Sequence, residues 1–276
     1  MSYSCLVIEM NRQMDTVKVL IADDDSKVCN ALETILKQNF VSIEVVAKTD
    51  SVDQTIDSLN ELKPQIAILD IHLLGGTAIE VIKQTSHLDY KVVFMSAYQE
   101  YALEDIRFAQ IPFIYKPFDI NELIVTIDQA IADLMDVGYE TKIQTFFKNS
   151  EIDNKDKQIV LNTDSGITSV LIHDIVCGES MFGRSRFYFI AQKSVETARP
   201  LRRYESMLQS YLFYRCHTQF VINLNHVVKF EYEAKVVLMS NGMAIPVDAR
   251  RFDGLKRRLS QVVAEDLSAT PCYKMV

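Results

Sequence analysis

The sequence predicts two domains of different class: an α/β domain built on a parallel sheet, then a mostly antiparallel β domain. Three observations predict this. Apolar runs alternate with helix-period segments five times between Val17 and Leu134. After Gly138 the pattern gives way to short β-rich segments separated by turn signals. Charge divides at the same place: residues 1–140 carry 10 Lys+Arg against 23 Asp+Glu, and residues 141–276 carry 19 against 14. A length of 276 residues fits two domains better than one.

Each element has its own warrant. Residues 1–16 have no clear period and read as a leader. VKVLIA is a buried-strand run, and Val28, Leu32, Ile35 and Leu36 after it share one helical face. VSIEVVA precedes a helix with Val52, Ile56 and Leu59, which Pro64 closes. QIAIL precedes a helix with Ile79 and Ile82, and KVVFM one around Leu103 and Ile106. IPFIY leads through Pro117 to a helix with Ile120, Ile124, Ile127, Ile131 and Leu134. Five βα units in succession give a five-stranded parallel sheet with helices on both faces, a doubly wound α/β fold.

The stretch from Thr141 to Lys157 is polar, mixed in charge and weakly periodic, and reads as a connector grading into the second domain. The later strands are QIVLNT, ITSVLI, IVCGE, RFYFIA, VETA, FVIN, HVVKFEY, KVVLMS and MAIPV. Asn241-Gly242 between two apolar runs signals a hairpin, with positive φ expected at both turn positions. Two amphipathic helices are expected, one through Leu201, Tyr204, Leu208 and Leu212, the other through Phe252, Leu255, Leu259 and Val262.

Composition excludes several classes. With 48% hydrophobic residues the chain is neither disordered nor collagen-like. No apolar run approaches the roughly 18 residues of a membrane span, so no membrane partner is expected. The N-terminus lacks a basic segment followed by an apolar one, so no secretory signal is expected. Cys5, Cys29, Cys177, Cys216 and Cys272 are scattered, odd in number and without metal spacing, which suits thiols of a reducing cytoplasm. Cys216 beside His217 reads as a strand neighbour rather than a catalytic dyad.

The chemistry lies at strand ends. Asp23 and Asp24 follow the first strand, Asp70 the third, Ser96 the fourth and Lys116 the fifth. In an open parallel sheet these carboxyl ends line one crevice. Clustered carboxylates suit Mg2+, which takes oxygen ligands and keeps waters. A carboxylate can attack phosphorus, and a metal and an ammonium then neutralise the phosphoryl oxygens.

Four stretches, VLIADDD, ILDIHLLGG, VVFMSAY and YKPFDINEL, make residues 17–137 resemble the receiver domain of two-component response regulators, a flavodoxin-like fold. The resemblance implies that Asp70 is the phosphoacceptor and that Asp23 and Asp24 are the acidic metal-binding pair for Mg2+. It implies that His72 supplies a backbone carbonyl to the metal, that Ser96 bonds the phosphoryl group, and that Lys116 is the lysine before a cis-inclined proline. Phe113 takes the aromatic switch position, three before the lysine. The sequence departs from the family at Leu74, where Pro is frequent, and at Thr77-Ala78, where Asp-Gly is usual. Asp25 reads as a helix-start residue before Ser26.

In the second half the basic clusters are Arg184-Ser185-Arg186, Arg199 with Arg202-Arg203, and Arg250-Arg251 with Lys256-Arg257-Arg258. The arginine fork suits phosphate and guanine edges. Lys256 and Arg258 read as the solvated face of a helix. YRCHTQFVINLNHVVKFE with VVLMSNGMAIPVDARRFDGLKRRL, and HDIVCGE and RPLRRYESML upstream, resembles the LytTR DNA-binding domain, a mostly-β fold whose loops enter successive major grooves. A linker at 138–145, a LytTR domain over 146–263 and a tail at 264–276 follow. Base-reading loops then map to Ser185 flanked by Arg184 and Arg186, to Thr218 beside His217, and to Arg250 with Arg251. His217 stays open between a buried structural partner and a base contact.

The combined resemblance implies a cytoplasmic, non-enzymatic response regulator. A sensor histidine kinase phosphorylates Asp70, dimerisation follows, and paired LytTR domains bind double-stranded promoter half-sites. A regulator that binds DNA without phosphorylation is the alternative. An aspartyl-phosphate phosphatase is a second, opposed by the DNA-binding half and by the lack of a second acid beside Asp70.

Overall fold

A computed structural model describes residues 16–97, 102–136, 138–151, 156–191 and 193–269, with backbone alone at 102–103 and 263–269. The expected leader, but for its last residue, and the tail beyond 269 lie outside the described residues, as does the side chain of Leu103. Two compact units divide the chain: the first holds the described residues up to Ile106 and Gln110–Tyr139, the second Arg107–Ala109 and the described residues from Glu140 on. Among the described residues no helix is long and apolar enough to cross a membrane.

The first unit runs β1 (Val17–Ala22), α1 (Ser26–Asn39), β2 (Ile43–Thr49), α2 (Val52–Leu62), β3 (Ile66–Asp70), β4 (His72–Leu73) and β5 (Gly76–Thr77). It continues with α3 (Ala78–Gln84), β6 (Lys91–Ser96), α4 (Ala102–Ala109), β7 (Phe113–Tyr115) and α5 (Ile120–Asp133). Five strands form one parallel sheet in the order β2-β1-β3-β6-β7, with every pairing parallel. The central strands are buried throughout because helices cover both faces, which is why β3 and β6 read as unbroken apolar runs. Val19, Ile21, Ile66, Ile68, Val93 and Met95 pack against Leu32 and Leu36 of α1 and Leu123 and Ile127 of α5.

Caps set the helix starts. Asp25 accepts from the Lys27 N–H and opens α1, Asp119 accepts from Asn121 and Glu122 and opens α5, and Thr77 forms a capping box with Glu80 at α3. The two departures from the receiver pattern thus acquire local roles. Thr77 caps, and the Leu74 N–H donates to the Asp50 carbonyl at 3.0 Å, a bond proline cannot make.

The second unit comprises α6 (Tyr139–Glu151), β8 (Gln158–Thr163), β9 (Gly166–Leu171), β10 (Ile175–Ser180), β11 (Ser185–Phe189), β12 (Ser194–Thr197) and α7 (Leu201–Leu208). After these come β13 (Phe213–Arg215), β14 (Phe220–Asn223), β15 (Val227–Glu231), β16 (Val236–Met239), β17 (Ala244–Pro246) and α8 (Phe252–Ala269). An antiparallel sheet in the order β12-β11-β10-β14-β13 has a core on each face. Ile175, Phe187 and Val221 face Leu201, Tyr204 and Leu208 of α7. Their neighbours Val176 and Ile222 face the three-stranded β15-β16-β17 sheet and Leu255 of α8. Strand alternation thus feeds two cores from one sheet.

Three expectations change here. Of the segment read as a connector, residues 141–151 belong to helix α6. Its buried positions include Tyr139, Lys142, Thr145, Phe146 and Asn149, a helical period carried largely by polar residues. Thr145 Oγ1 donates to Ser169, and Asn149 exchanges two 2.8 Å bonds with the backbone of Gln158, so polar groups are satisfied where apolar ones were sought. Leu212 is not helical: α7 stops at Leu208, Leu212 turns left-handed at φ 59°, and β13 begins at once. At Asn241-Gly242 only Gly242 has positive φ, 85°, and Met239 bonds Met243 across a three-residue loop, the turn with a glycine bulge.

Replacing Asn149 with Ala leaves both Gln158 backbone groups unpaired, which costs about 1–3 kcal/mol. Native-state hydrogen exchange should show β8 amides losing protection by that amount while those of β3 are unchanged.

Candidate functional site

Strand register assembles the first site. Ala22 is level with Leu69, Asp70 with Met95, and Ser96 with Tyr115, so the carboxyl ends of β1, β3, β6 and β7 lie side by side. Asp23, Asp70, Ser96 and Lys116 therefore meet at one edge, beside the point where strand order reverses between β1 and β3. Backbone bonds lock that edge: Asp23 N–H to Thr49, Ile71 N–H to Met95 and Lys116 N–H to Ser96, all 2.9 Å.

Oxygens of Asp23, Asp24 and Asp70 lie within 4.8 Å of one another, with Asp23 and Asp70 buried and Asp24 exposed. Lys116 Nζ sits 2.6 Å from Asp23 Oδ2 and hydrogen-bonds Asp70 Oδ2, so one ammonium serves two carboxylates. Burial raises the Asp23 pKa above its ordinary value, against the lowering pull of Lys116. Burial disfavours the charged Lys116, but its contacts with Asp23 and Asp70 outweigh that and raise its pKa, so the ammonium stays charged. The second oxygens have lighter duties: Asp23 Oδ1 accepts from the Asp25 N–H at 3.0 Å and Asp70 Oδ1 from the His72 N–H at 3.3 Å. Asp23 Oδ2 is buried with an ion-pair contact but no well-directed hydrogen bond. An all-oxygen donor set with an under-satisfied buried carboxylate fits a hard divalent cation.

The Lys116–Pro117 peptide is cis. Phe113 and Tyr115 share one face of β7, with ring centroids 4.6 Å apart at 67°. They line an open groove with Phe118 and Val125.

The second unit brings its three expected loops to one end. β10 and β11 close in a two-residue turn in which Met181 and Arg184 exchange both backbone bonds. The Ser180 N–H donates to the Gln219 carbonyl at 2.6 Å, joining this turn to the β13–β14 turn. Asp248 joins the third loop, accepting from the Thr218 N–H at 2.8 Å while its own N–H donates to Cys216 at 2.9 Å. Asp248 was not visible as a functional residue in the sequence; its only signal is an acid set between an apolar strand and an arginine pair.

Positions within these loops differ. Ser185 is wholly buried, its hydroxyl 2.9 Å from Thr197 Oγ1 and 2.8 Å from the Arg199 carbonyl, so it does not reach the surface. The tight turn makes it the first inward residue of β11, and its expected base contact is corrected to a structural role. His217 holds the loops: Nδ1 accepts from the Gln219 N–H and Nε2 lies 3.4 Å from Asp248. Arg184 pairs with Asp164 at 2.6 Å, Arg186 with Glu196, and Arg251 donates to the Arg215 carbonyl. Thr218 and Arg250 are exposed, and Arg250 makes no ion pair or hydrogen bond among the described residues. Lys256 lies over the Tyr232 ring, 5.5 Å from its centroid.

Residues 19–128 match the response regulator receiver domain family, and residues 165–260 match the LytTr DNA-binding domain family. The sensory transduction protein LytT of Bacillus cereus is 25% identical over 248 residues, covering 88% of this chain and 99% of that protein. The transcriptional regulatory protein BtsR of Escherichia coli K12 is 25% identical over 259 residues, with the same shares. Among solved structures, the LytTr DNA-binding domain of a putative methyl-accepting/DNA response regulator from Bacillus cereus is 22% identical at a TM-score of 0.33, covering 37% of this chain and 95% of that one. The chain is a two-component response regulator that joins a receiver domain to a LytTR DNA-binding domain.

Proposed function

We propose that Asp70 accepts a phosphoryl group from a sensor histidine kinase, with Mg2+ as cofactor, and that this controls promoter binding by the LytTR domain in the cytoplasm. The observation that carries the reading is the meeting of three carboxylates within 4.8 Å, two of them bridged by Lys116. An Asp70 oxygen attacks the phosphorus of a phosphohistidine; a P–O bond forms, the P–N bond breaks, and the imidazole leaves and takes up a proton. Asp23, Asp24, Asp70 and the His72 carbonyl would hold Mg2+, which when bound offsets negative charge on the phosphoryl oxygens.

Lys116 neutralises the same charge by exchanging its Asp70 contact for a phosphoryl oxygen. Ser96, at the end of β6 and almost wholly buried, turns its hydroxyl to the new group. Phe113 follows on the neighbouring strand, and the shifted surface favours a homodimer. Phosphate shifts the population only to the extent that it binds the active conformation better. Two LytTR domains then engage paired half-sites, with Thr218 and Arg250 facing the bases and Arg184, Arg186 and Arg251 beside them. The receiver spans about 17–137 and the DNA-binding part about 146–263.

Incubation with a small phosphodonor and Mg2+ should label the chain once, in a base-labile linkage. Asp70→Asn should abolish the label, and so should chelation of Mg2+. Equal labelling of Asp70→Asn would sink the receiver mechanism, rapid multiple turnover would favour a phosphatase, and DNA binding indifferent to labelling would favour the phosphorylation-independent alternative.

Arg250→Ala should weaken binding to a preferred duplex by about tenfold or more, as expected for a lost base contact. Lys256→Ala, which removes a charge already placed over Tyr232, should change it by less than about threefold. Affinity of the unaltered chain should fall steeply with salt. Equal losses in the two variants would overturn the loop assignment.

A further inference from the structure

The turn between β10 and β11 carries a residue that nothing above employs. Phe182 is fully exposed, at 105% of its reference area, and makes no ring contact among the described residues. The turn does not require it. Gly183 supplies the positive φ, 71°, and a polar residue would serve at the position before it.

The ring is held out by a stiff stem rather than left on a loose loop. Met181 and Arg184 bond each other both ways, Ser180 is tied to Gln219, and the buried Ser185 hydroxyl pins the base of β11. That stem also places the ring at the same end as Thr218 and Arg250, next to Arg184. An apolar tip among basic and polar loops, in a half with 19 basic against 14 acidic residues, favours a polyanion that offers an apolar spot. The major groove of DNA has one such group, the 5-methyl of thymine.

We propose that Phe182 is a specificity-determining residue that contacts a thymine methyl in the bound DNA; this rests on the DNA-binding reading of these loops. The test uses the full chain, treated with phosphodonor, and duplexes that it selects from a random pool. Each thymine of a selected duplex is replaced in turn by deoxyuridine, which removes only the methyl, and affinity is read by fluorescence anisotropy.

One thymine per half-site should prove sensitive, with replacement weakening binding about fivefold, the low end for a lost base contact. Phe182→Ala should lose a similar factor on the thymine duplex and nothing further on the deoxyuridine duplex, while affinity for random DNA stays unchanged. Phe182→Leu, which keeps an apolar tip, should retain part of the thymine preference. The proposal is overturned if Phe182→Ala binds the selected duplex like the unaltered chain, if the two losses multiply, if no thymine is sensitive, or if random DNA is weakened equally. The first of these would leave the exposed ring to a protein partner. A pool that yields no preferred duplex overturns the DNA-binding reading itself, and this inference with it.

Discussion

Asp23 and Asp70, on the ends of adjacent strands in a partly buried crevice, share one ammonium, that of Lys116. Two carboxylates so close repel, and burial raises the cost of keeping Asp23 charged. Lys116 makes the arrangement tolerable, and its position depends on the whole sheet. It follows β7, whose register against β6 is set by Phe94–Phe113 and Ser96–Tyr115, and β6 in turn is set against β3. The pocket is thus a property of strand order, not of any local segment.

In the proposed reading the same balance of charges makes the site a switch. A cation or a phosphoryl group arriving at these oxygens changes the balance that Lys116 now keeps, and the ammonium has two partners it can exchange. The edge that would respond is narrow: Ser96 and Lys116 are linked through the backbone, and Phe113 and Tyr115 lie on the strand that leads to Lys116. The second unit answers a different constraint. Its central sheet is buried on both faces, so the protruding parts are turns, and Asp248 ties the β13–β14 turn to the loop before α8. In the proposed reading, recognition chemistry is carried by loops on a scaffold that leaves them little freedom.

Much of this was legible in the residues because the signals were apolar. The five βα units announced themselves through buried runs and single-faced helices, and the strand-end residues Asp23, Asp70, Ser96 and Lys116 could be placed from those runs. Helix α6 escaped because Lys142, Thr145 and Asn149 stand where a periodicity search expects apolar side chains, and Thr145 and Asn149 find hydrogen-bond partners on β9 and β8. Ser185 was expected in a base-reading loop because the LytTR resemblance maps that loop to it, between two arginines. A two-residue turn closes one position earlier and points it inward.

By itself the sequence determined the fold class of each half and the strand-end placement of the acidic and basic groups, since these follow from hydrophobic period and local turn chemistry; the candidate loops of the DNA-binding half came from the resemblance to the LytTR family. Only the tertiary structure decided that Lys116 bridges two carboxylates, that His217 and Asp248 hold loops together, and that Phe182 stands clear of the surface while Ser185 does not. Those facts depend on which distant segments come within hydrogen-bonding reach, and pairing across 30 positions (Thr218 to Asp248), 46 (Asp70 to Lys116) or 93 (Asp23 to Lys116) leaves no periodic trace in the chain.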